Sequence, residues 1–549
     1  MDSQWMPPEV PSALPLGKAN IYPLDEPHAI SCSLPTWDSV FGVCRQEEWV
    51  MKHVEWNYPR FYINKPLREL STAVLHRLKI TDENITCLLF ASRPDAQQCI
   101  TSFDSSSPNE TCHFFIPESS HWASFSAAIF STDLIEEAMT FWRNTGSGLS
   151  MRHATYCLQE FGYMESDSSN SEFQTSAPQK RAPDRTPDTT WIHSATTTML
   201  NLKSFITQLA TSNKSGQLPV PPSDVFLFPT GMNAIHTLSQ TLSSLNPTPT
   251  AIAYGWLYPE TVDVLRSTWK TISYKAGNSS DLDALESLLE SGHQVHVLFC
   301  ELPSNVTLSC PDIHRIRELA DRYGFIVVCD DTVAGFVNID VLPYADVVVT
   351  SLTKGFSGSS NVTGGSIVIN PNSTHHDSIH NALSKTNTTC FPGDIQTLLT
   401  NSATLYQRTE TANENTLALL PLLTTHPSIK TVNHPSIHPT AGIYNSLRKP
   451  TGGYTNTLSI IFHNPLSAEL FYNALNVCKG TSFGTNFTIA VPYIVLANFY
   501  TREKVAGYVP DHVIRVSVGV EDVKGIMGRV REALGVVEGV ELGMGMGGD

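Results

Sequence analysis

Between residues 225 and 349 the sequence alternates short, almost unbroken apolar runs with amphipathic stretches, and few architectures accept such a pattern. The runs are Val225-Phe226-Leu227-Phe228, Ala251-Ile252-Ala253-Tyr254, Val295-His296-Val297-Leu298-Phe299, Phe325-Ile326-Val327-Val328 and Val347-Val348-Val349. Helical pieces such as Asp281–Leu289 and Ile313–Tyr323 separate them. A strand without polar alternation needs cover on both faces, and a parallel sheet lying between helices supplies it. The reading is an α/β domain built on a mostly parallel sheet. Beyond it, strands at Thr457–Phe462 and Val513–Val518 with helices at Ser467–Leu475 and Val523–Leu534 make a small α+β unit.

Upstream, Met164–Asp188 is dominated by Ser, Asp, Pro, Gln and basic residues with no apolar period, which predicts a flexible linker or long surface loop. Before it, Leu134–Arg143 reads as a helix with Asp133 as its cap. The expected division is an amino-terminal extension over 1–163, a linker over 164–190, the α/β domain over 191–415 and the α+β unit over 416–549. The 549 residues are 41% hydrophobic and 16% charged, a globular balance long enough to bury a full core. A formal charge of −17 with no Lys/Arg stripe argues against nucleic acid as the main partner. No run reaches the ~18 apolar residues of a membrane span, and the first residues lack the basic and apolar regions of a secretory signal. Eleven cysteines without a Cys-x-x-Cys pair read as reduced thiols, and the expected location is cytoplasmic.

Polar groups cluster at the carboxyl ends of these strands, where open α/β sheets bind ligands. After Val349 comes Thr350-Ser351-Leu352-Thr353-Lys354-Gly355-Phe356-Ser357-Gly358. Its lysine amine suits a Schiff base, its hydroxyls at Ser351 and Thr353 suit a phosphate, and its glycines allow close approach. Asp330 ends another strand, positioned to keep a pyridinium protonated or merely to cap the next helix. Gly231 and Met232 open a helix after Phe228 and offer backbone N–H groups to an anion. Tyr254 could stack on a flat ring, and Asn305 could donate to a ring oxygen. Taken singly, each is also an ordinary polar turn. His375, His376 and His380 have helical spacing but no clear further ligand, so no metal site is expected. Gly543-Met544-Gly545-Met546-Gly547-Gly548 lies outside any strand–helix context, which argues against a dinucleotide fold.

From about Ser223 to Leu534 the chain resembles the cystathionine gamma-synthase branch of the Cys/Met-metabolism enzymes that use pyridoxal phosphate. Asp346 to Lys354 and Asn361-Val362-Thr363-Gly364-Gly365 carry the likeness most specifically, and Pro27 to Trp37 is similar to the extension of fungal members. The resemblance implies a fold type I transferase with a seven-stranded sheet. It implies that Lys354 carries pyridoxal 5'-phosphate, that Asp330 pairs with the ring nitrogen, and that Tyr254 stacks on the ring and assists proton transfer. Gly231, Met232, Ser351 and Thr353 would bind the phosphate and Asn305 the ring hydroxyl. Tyr58 and Arg60 would fit the family's Tyr-x-Arg element, which reaches the phosphate from a neighbouring subunit and implies a homodimer or homotetramer. Arg515 would hold the substrate carboxylate, with Ser482 supporting that pocket.

The implied reaction is γ-replacement on an O-acyl-L-homoserine, through a vinylglycine-type intermediate to which a nucleophile adds. Asp331, Thr363 and the stretch Tyr254-Gly255-Trp256-Leu257-Tyr258 depart from the usual family pattern. They leave open a specialised paralogue using a carbon or amine nucleophile, and a non-catalytic paralogue is the remaining alternative.

Overall fold

The computed structural model describes residues 11–22, 24, 26–103, 110–117, 122–168, 189–246, 250–386 and 390–543. Its centre is a seven-stranded sheet made of β5 (Val225–Phe228), β6 (Thr250–Tyr254), β7 (Lys270–Tyr274), β8 (Val297–Glu301), β9 (Ile326–Asp330), β10 (Val347–Thr350) and β11 (Gly365–Ile369). The order is β5-β11-β10-β9-β8-β6-β7. The ladders joining β7, β6, β8, β9 and β10 are parallel, and β11 runs antiparallel to both its neighbours. β6, β8, β10 and β11 are buried along their whole length, as continuous apolar runs require.

Alternation along each strand divides its side chains between two cores. Ala251, Ala253, Val297, Phe299, Ile326 and Val328 face Leu238 and Leu242 of the helix Gly231–Ser244. Ile252, Tyr254, Leu298, Cys300, Val327 and Cys329 face the opposite layer, with Leu282 and Leu285 of the helix Ser279–Glu290 and Ile316 of Ile313–Tyr323. Local chemistry sets these helix ends. Thr230, Asn278 and Asp312 cap their helices by accepting backbone N–H bonds, and Gly324 closes the last one at a φ of 76°.

The carboxyl-terminal unit is a five-stranded sheet, β12 (Ile429–Asn433), β13 (Thr457–Phe462), β14 (Cys478–Lys479), β15 (Ile489–Pro492) and β16 (Ile514–Ser517), in the order β12-β13-β16-β15-β14. The helix Leu405–Thr424 runs across the expected boundary at 415.

The extension is two parts rather than one. Leu34, Trp37, Val40, Val50 and Val54 share the core of the carboxyl-terminal unit. Residues from Lys65 onward form a separate unit with its own core and a four-stranded sheet in the order β1-β3-β2-β4. Its strands are β1 (Ile85–Phe90), β2 (Glu110–Phe115), β3 (Ser124–Ser131) and β4 (Glu165–Ser168). β4 falls inside the expected linker and pairs with β2, and the remainder of that linker, 169–188, lies outside the described residues. The helix expected at Leu134–Arg143 spans Ile135–Thr145, without a side-chain cap from Asp133. Among the described residues no helix is long and apolar enough to cross a membrane.

Candidate active site

The loop after β10 turns Lys354 back under its own strand end. Its backbone N–H donates to Ser351 and its carbonyl accepts from Gly358. The Arg408 guanidinium donates to the carbonyls of Gly355 and Phe356 and to Asn486, stapling the loop to the helix Leu405–Thr424. With its loop fixed, the Lys354 amine donates to the Tyr58 hydroxyl at 3.1 Å and to the Ser482 hydroxyl at 3.0 Å. It lies 4.2 Å from the Tyr58 ring centre. Desolvation pulls the amine below the usual lysine range; Tyr58 opposes that shift, and Arg515 and Arg60 add to it. Burial pushes the Tyr58 phenol up, but the charges of Lys354 and Arg60 outweigh burial and bring it below its ordinary value.

Arg515 stands on β16, beside the same serine. It donates to the Ser482 carbonyl at 2.7 Å and to Asn305 Oδ1 at 3.0 Å, and it stacks over Phe483 and Tyr493. Burial lowers it to about 10, and among the described residues no carboxylate pairs with it. Asn305 spends its amide N–H on the Tyr493 hydroxyl. Arg60 is 3% exposed, donating to the Arg143 carbonyl and, at 3.4 Å, to the Tyr258 hydroxyl. Arg60 and Ser482 both hold left-handed backbone, at φ of 79° and 77°, a strained state for residues with side chains.

Carboxyls gather at the neighbouring strand ends. Glu301 and Asp330 are cross-strand partners of β8 and β9, and strand parity sends both to the face of the Gly231–Ser244 helix. Glu301 accepts the backbone N–H groups of Tyr258 and Asn305. Burial and then the nearby Asp330 raise it to about 8. Burial likewise raises Asp330, and it raises Asp331, which accepts the Thr350 hydroxyl, to about 7. Below them the Gly231–Ser244 helix begins against Ser351, where a Cβ on Gly231 would stand 2.8 Å from the Ser351 Cβ. The first-turn N–H groups of Gly231 and Met232 precede the helix's own ladder. Thr353 is buried, its hydroxyl bonded to the carbonyl and N–H of Gly364.

One expectation changes. Tyr254 does not join the cluster: it shares the parity of Ile252, points to the opposite core, and donates to the Asn278 carbonyl at 2.7 Å. The Tyr-Gly signal at that strand end has a local cause, since Gly255 takes a φ of 83° and lies against Gly277. The aromatic on the site's side is Tyr258, which packs on the Gly231–Ser244 face and touches Arg60. Within the chain, Tyr58 meets Lys354 and Arg60 meets Tyr258. His376 and His380 lie against buried Asp224, which precedes β5, whereas Gly231 follows that strand's carboxyl end.

The cluster has charges in want of opposites. Among the described residues, Glu301 and Asp330 form no ion pair at one end, and the buried Arg515 guanidinium pairs with no carboxylate at the other. A desolvated amine lies between them. Pyridoxal phosphate meets these demands with a ring nitrogen that can carry a proton, a phosphate and an aldehyde.

Comparison with known proteins agrees. Residues 176–535 match the family model described as Cys/Met metabolism PLP-dependent enzyme, and residues 66–150 match the fungal trans-sulfuration enzyme, N-terminal domain. The chain is 41% identical over 536 residues to the cystathionine gamma-synthase-like protein ankD of Aspergillus thermomutatus, covering 95% of each. It is 30% identical over 609 residues to a cystathionine gamma-synthase of Neurospora crassa, covering 94% of this chain and 97% of that one. A solved cystathionine gamma synthase from Xanthomonas oryzae pv. oryzae, in complex with aminoacrylate and cysteine, shares the fold with a TM-score of 0.55 at 21% identity, over 63% of this chain and 88% of that one.

Proposed function

The chain belongs to the Cys/Met-metabolism enzymes that depend on pyridoxal phosphate, and from that premise we propose that it performs γ-replacement on an O-acyl-L-homoserine. In this reading the acyloxy group leaves Cγ and a nucleophile takes its place. One observation carries it: Ser482 joins the desolvated Lys354 amine, through its hydroxyl, to the carboxylate-free Arg515, through its carbonyl. An amino acid whose carboxylate meets the Arg515 fork presents its α-carbon toward Lys354.

When bound, the cofactor acts as an electron sink that makes the protons beside the substrate nitrogen acidic. Lys354 would hold it and Asp330 would face its ring nitrogen. Arg60, Gly231, Met232 and Ser351 would take its phosphate, with Thr353 holding their loop in shape through Gly364. Tyr258 takes the stacking role first given to Tyr254. Burial lowers the Lys354 amine below the usual lysine range, which favours an Nζ that accepts a proton and returns it. Tyr58, itself depressed, is the neighbouring acid–base group. Asn305 orients Arg515 and is itself held by its amide's bond to the Tyr493 hydroxyl.

The test is incubation with O-acetyl- and O-succinyl-L-homoserine against thiol, carbon and amine nucleophiles, with products identified by mass. Acid release with a γ-substituted amino acid is expected. No acid release from either ester with any nucleophile would overturn the reading.

A further inference from the structure

β15 and β16 pair so that Val491 lies opposite Arg515, and Tyr493 follows Val491 by two residues. That spacing returns a side chain to the same face of a strand, and Val491 and Tyr493 do share one small core with Trp256 and Val306. The Tyr493 backbone N–H donates to the Val513 carbonyl, which carries the pairing past Pro492 into the helix Tyr493–Ala497. The register therefore lays the phenol on the guanidinium. The Tyr493 ring centre is 4.7 Å from the guanidinium carbon of Arg515, and the Phe483 ring centre is at 4.8 Å. Asn305 closes the group, accepting from Arg515 at 3.0 Å and donating to the Tyr493 hydroxyl at 2.9 Å.

Tyr493 thus accepts one hydrogen bond, yet among the described residues nothing accepts its own hydroxyl proton. The residue is 3% exposed, so bulk water is no substitute. Arg515 is in the same position. It spends one N–H on Asn305 and one on the Ser482 carbonyl, and its other donors have no acceptor among the described residues. Burial raises the phenol above its ordinary value; Arg515 opposes that shift, and Glu301 and Glu260 add to it. It is therefore a neutral donor near pH 7. A carboxylate answers both sets of idle donors, because its two oxygens can take the guanidinium and the phenol together. We propose that Tyr493 is a substrate-binding residue whose hydroxyl donates to the α-carboxylate held by Arg515. The proposal rests on the reading that Arg515 takes the carboxylate of an amino-acid substrate. It adds a second grip on that group without adding a second positive charge beside Lys354.

Tyr493→Phe keeps the ring on Arg515 and removes only the O–H. The holoenzyme is titrated with L-2-aminobutanoate, an amino acid without a leaving group, and with its carboxamide. Binding is read from the visible absorbance of the cofactor. The native protein is expected to prefer the carboxylate, and Tyr493→Phe to weaken its binding about tenfold while moving the carboxamide less than about twofold. An equal loss for both probes, no loss for either, or a native protein indifferent to the carboxylate would overturn the proposal. An Arg515→Lys background separates direct contact from a role exercised only by placing Arg515. Direct contact still costs the carboxylate a similar factor there, and a Tyr493 effect that vanishes in that background would sink the idea. In turnover, KM for the acylhomoserine should rise about tenfold with a smaller fall in kcat; an unchanged KM with a reduced kcat would count against the contact. A chain that keeps the Tyr493-dependent preference for the carboxylate yet releases no acyl group from any acylhomoserine would retain this inference and reject only the proposed reaction.

Discussion

Lys354 has exchanged water for two hydroxyls and two ring faces, and that exchange makes its proton easy to give up. Lys354→Ala is expected to cut turnover by at least ~10³-fold and to abolish the visible absorbance of the bound cofactor, both read directly on the purified variant. Arg515→Lys keeps the charge but loses the planar fork, so KM for the acylhomoserine should rise roughly 10–100-fold with a smaller fall in kcat. The two tyrosines separate by which core they face. Tyr258→Phe should lower kcat/KM about tenfold or more and weaken cofactor retention, while Tyr254→Phe should leave both within about twofold. That contrast also marks what could be read in advance. Lys354 and Asp330 are legible because their side-chain chemistry is rare at strand ends, whereas Arg515 comes from the family resemblance alone. Tyr254 misled because an aromatic before a glycine looks the same whether it faces a ligand or a core. Counting parity from Asp330 and Glu301 would have favoured the face that holds Tyr258.

Strand ends do more than carry residues; they set the charge balance. Glu301 and Asp330 keep protons in the folded, cofactor-free protein that the unfolded chain gives up. With Glu301 raised from 4.5 to about 8, the stabilising effect of its proton is complete below pH 4.5 and lost as pH rises toward 8. The melting temperature of the cofactor-free protein should therefore fall across that window, and Glu301→Gln should flatten the slope in a pH series of thermal melts. Gly231→Ala tests the phosphate end. Its added methyl meets Ser351 at 2.8 Å and must push the helix start away, so cofactor affinity measured by absorbance titration should drop about tenfold or more. The sheet itself was readable because unbroken apolar strands leave so few alternatives. β7 and β11 gave weaker signals: β7 is an exposed edge with a polar face, and β11 follows the glycine pair as a short reversal. β4 escaped notice because Glu165-Ser166-Asp167-Ser168 is polar throughout and exists as a strand only by pairing with β2.

At the scale of the whole molecule, the extension is bound by packing as well as by hydrogen bonds. Phe391, 7% exposed, is the flat surface on which His153 stacks and against which Trp122 stands edge-on. Phe391→Ala should remove roughly 3 kcal/mol, as large aromatic truncations do, and split thermal unfolding into an early step for the extension and a later one for the remainder, visible by calorimetry. The arrangement of the extension could not be foreseen from its sequence, because docking depends on partners hundreds of residues away, as in the bond between Lys354 and Tyr58 across 296 positions. That separation has a consequence for synthesis. The site draws on residues from Tyr58 to Arg515, so the ribosome delivers its first contributor long before its last. A chain stopped before β16 lacks both the central strand of the carboxyl-terminal sheet and Arg515, the group proposed to grip the substrate carboxylate. Nascent chains abandoned before that strand are thus expected to stay chemically silent.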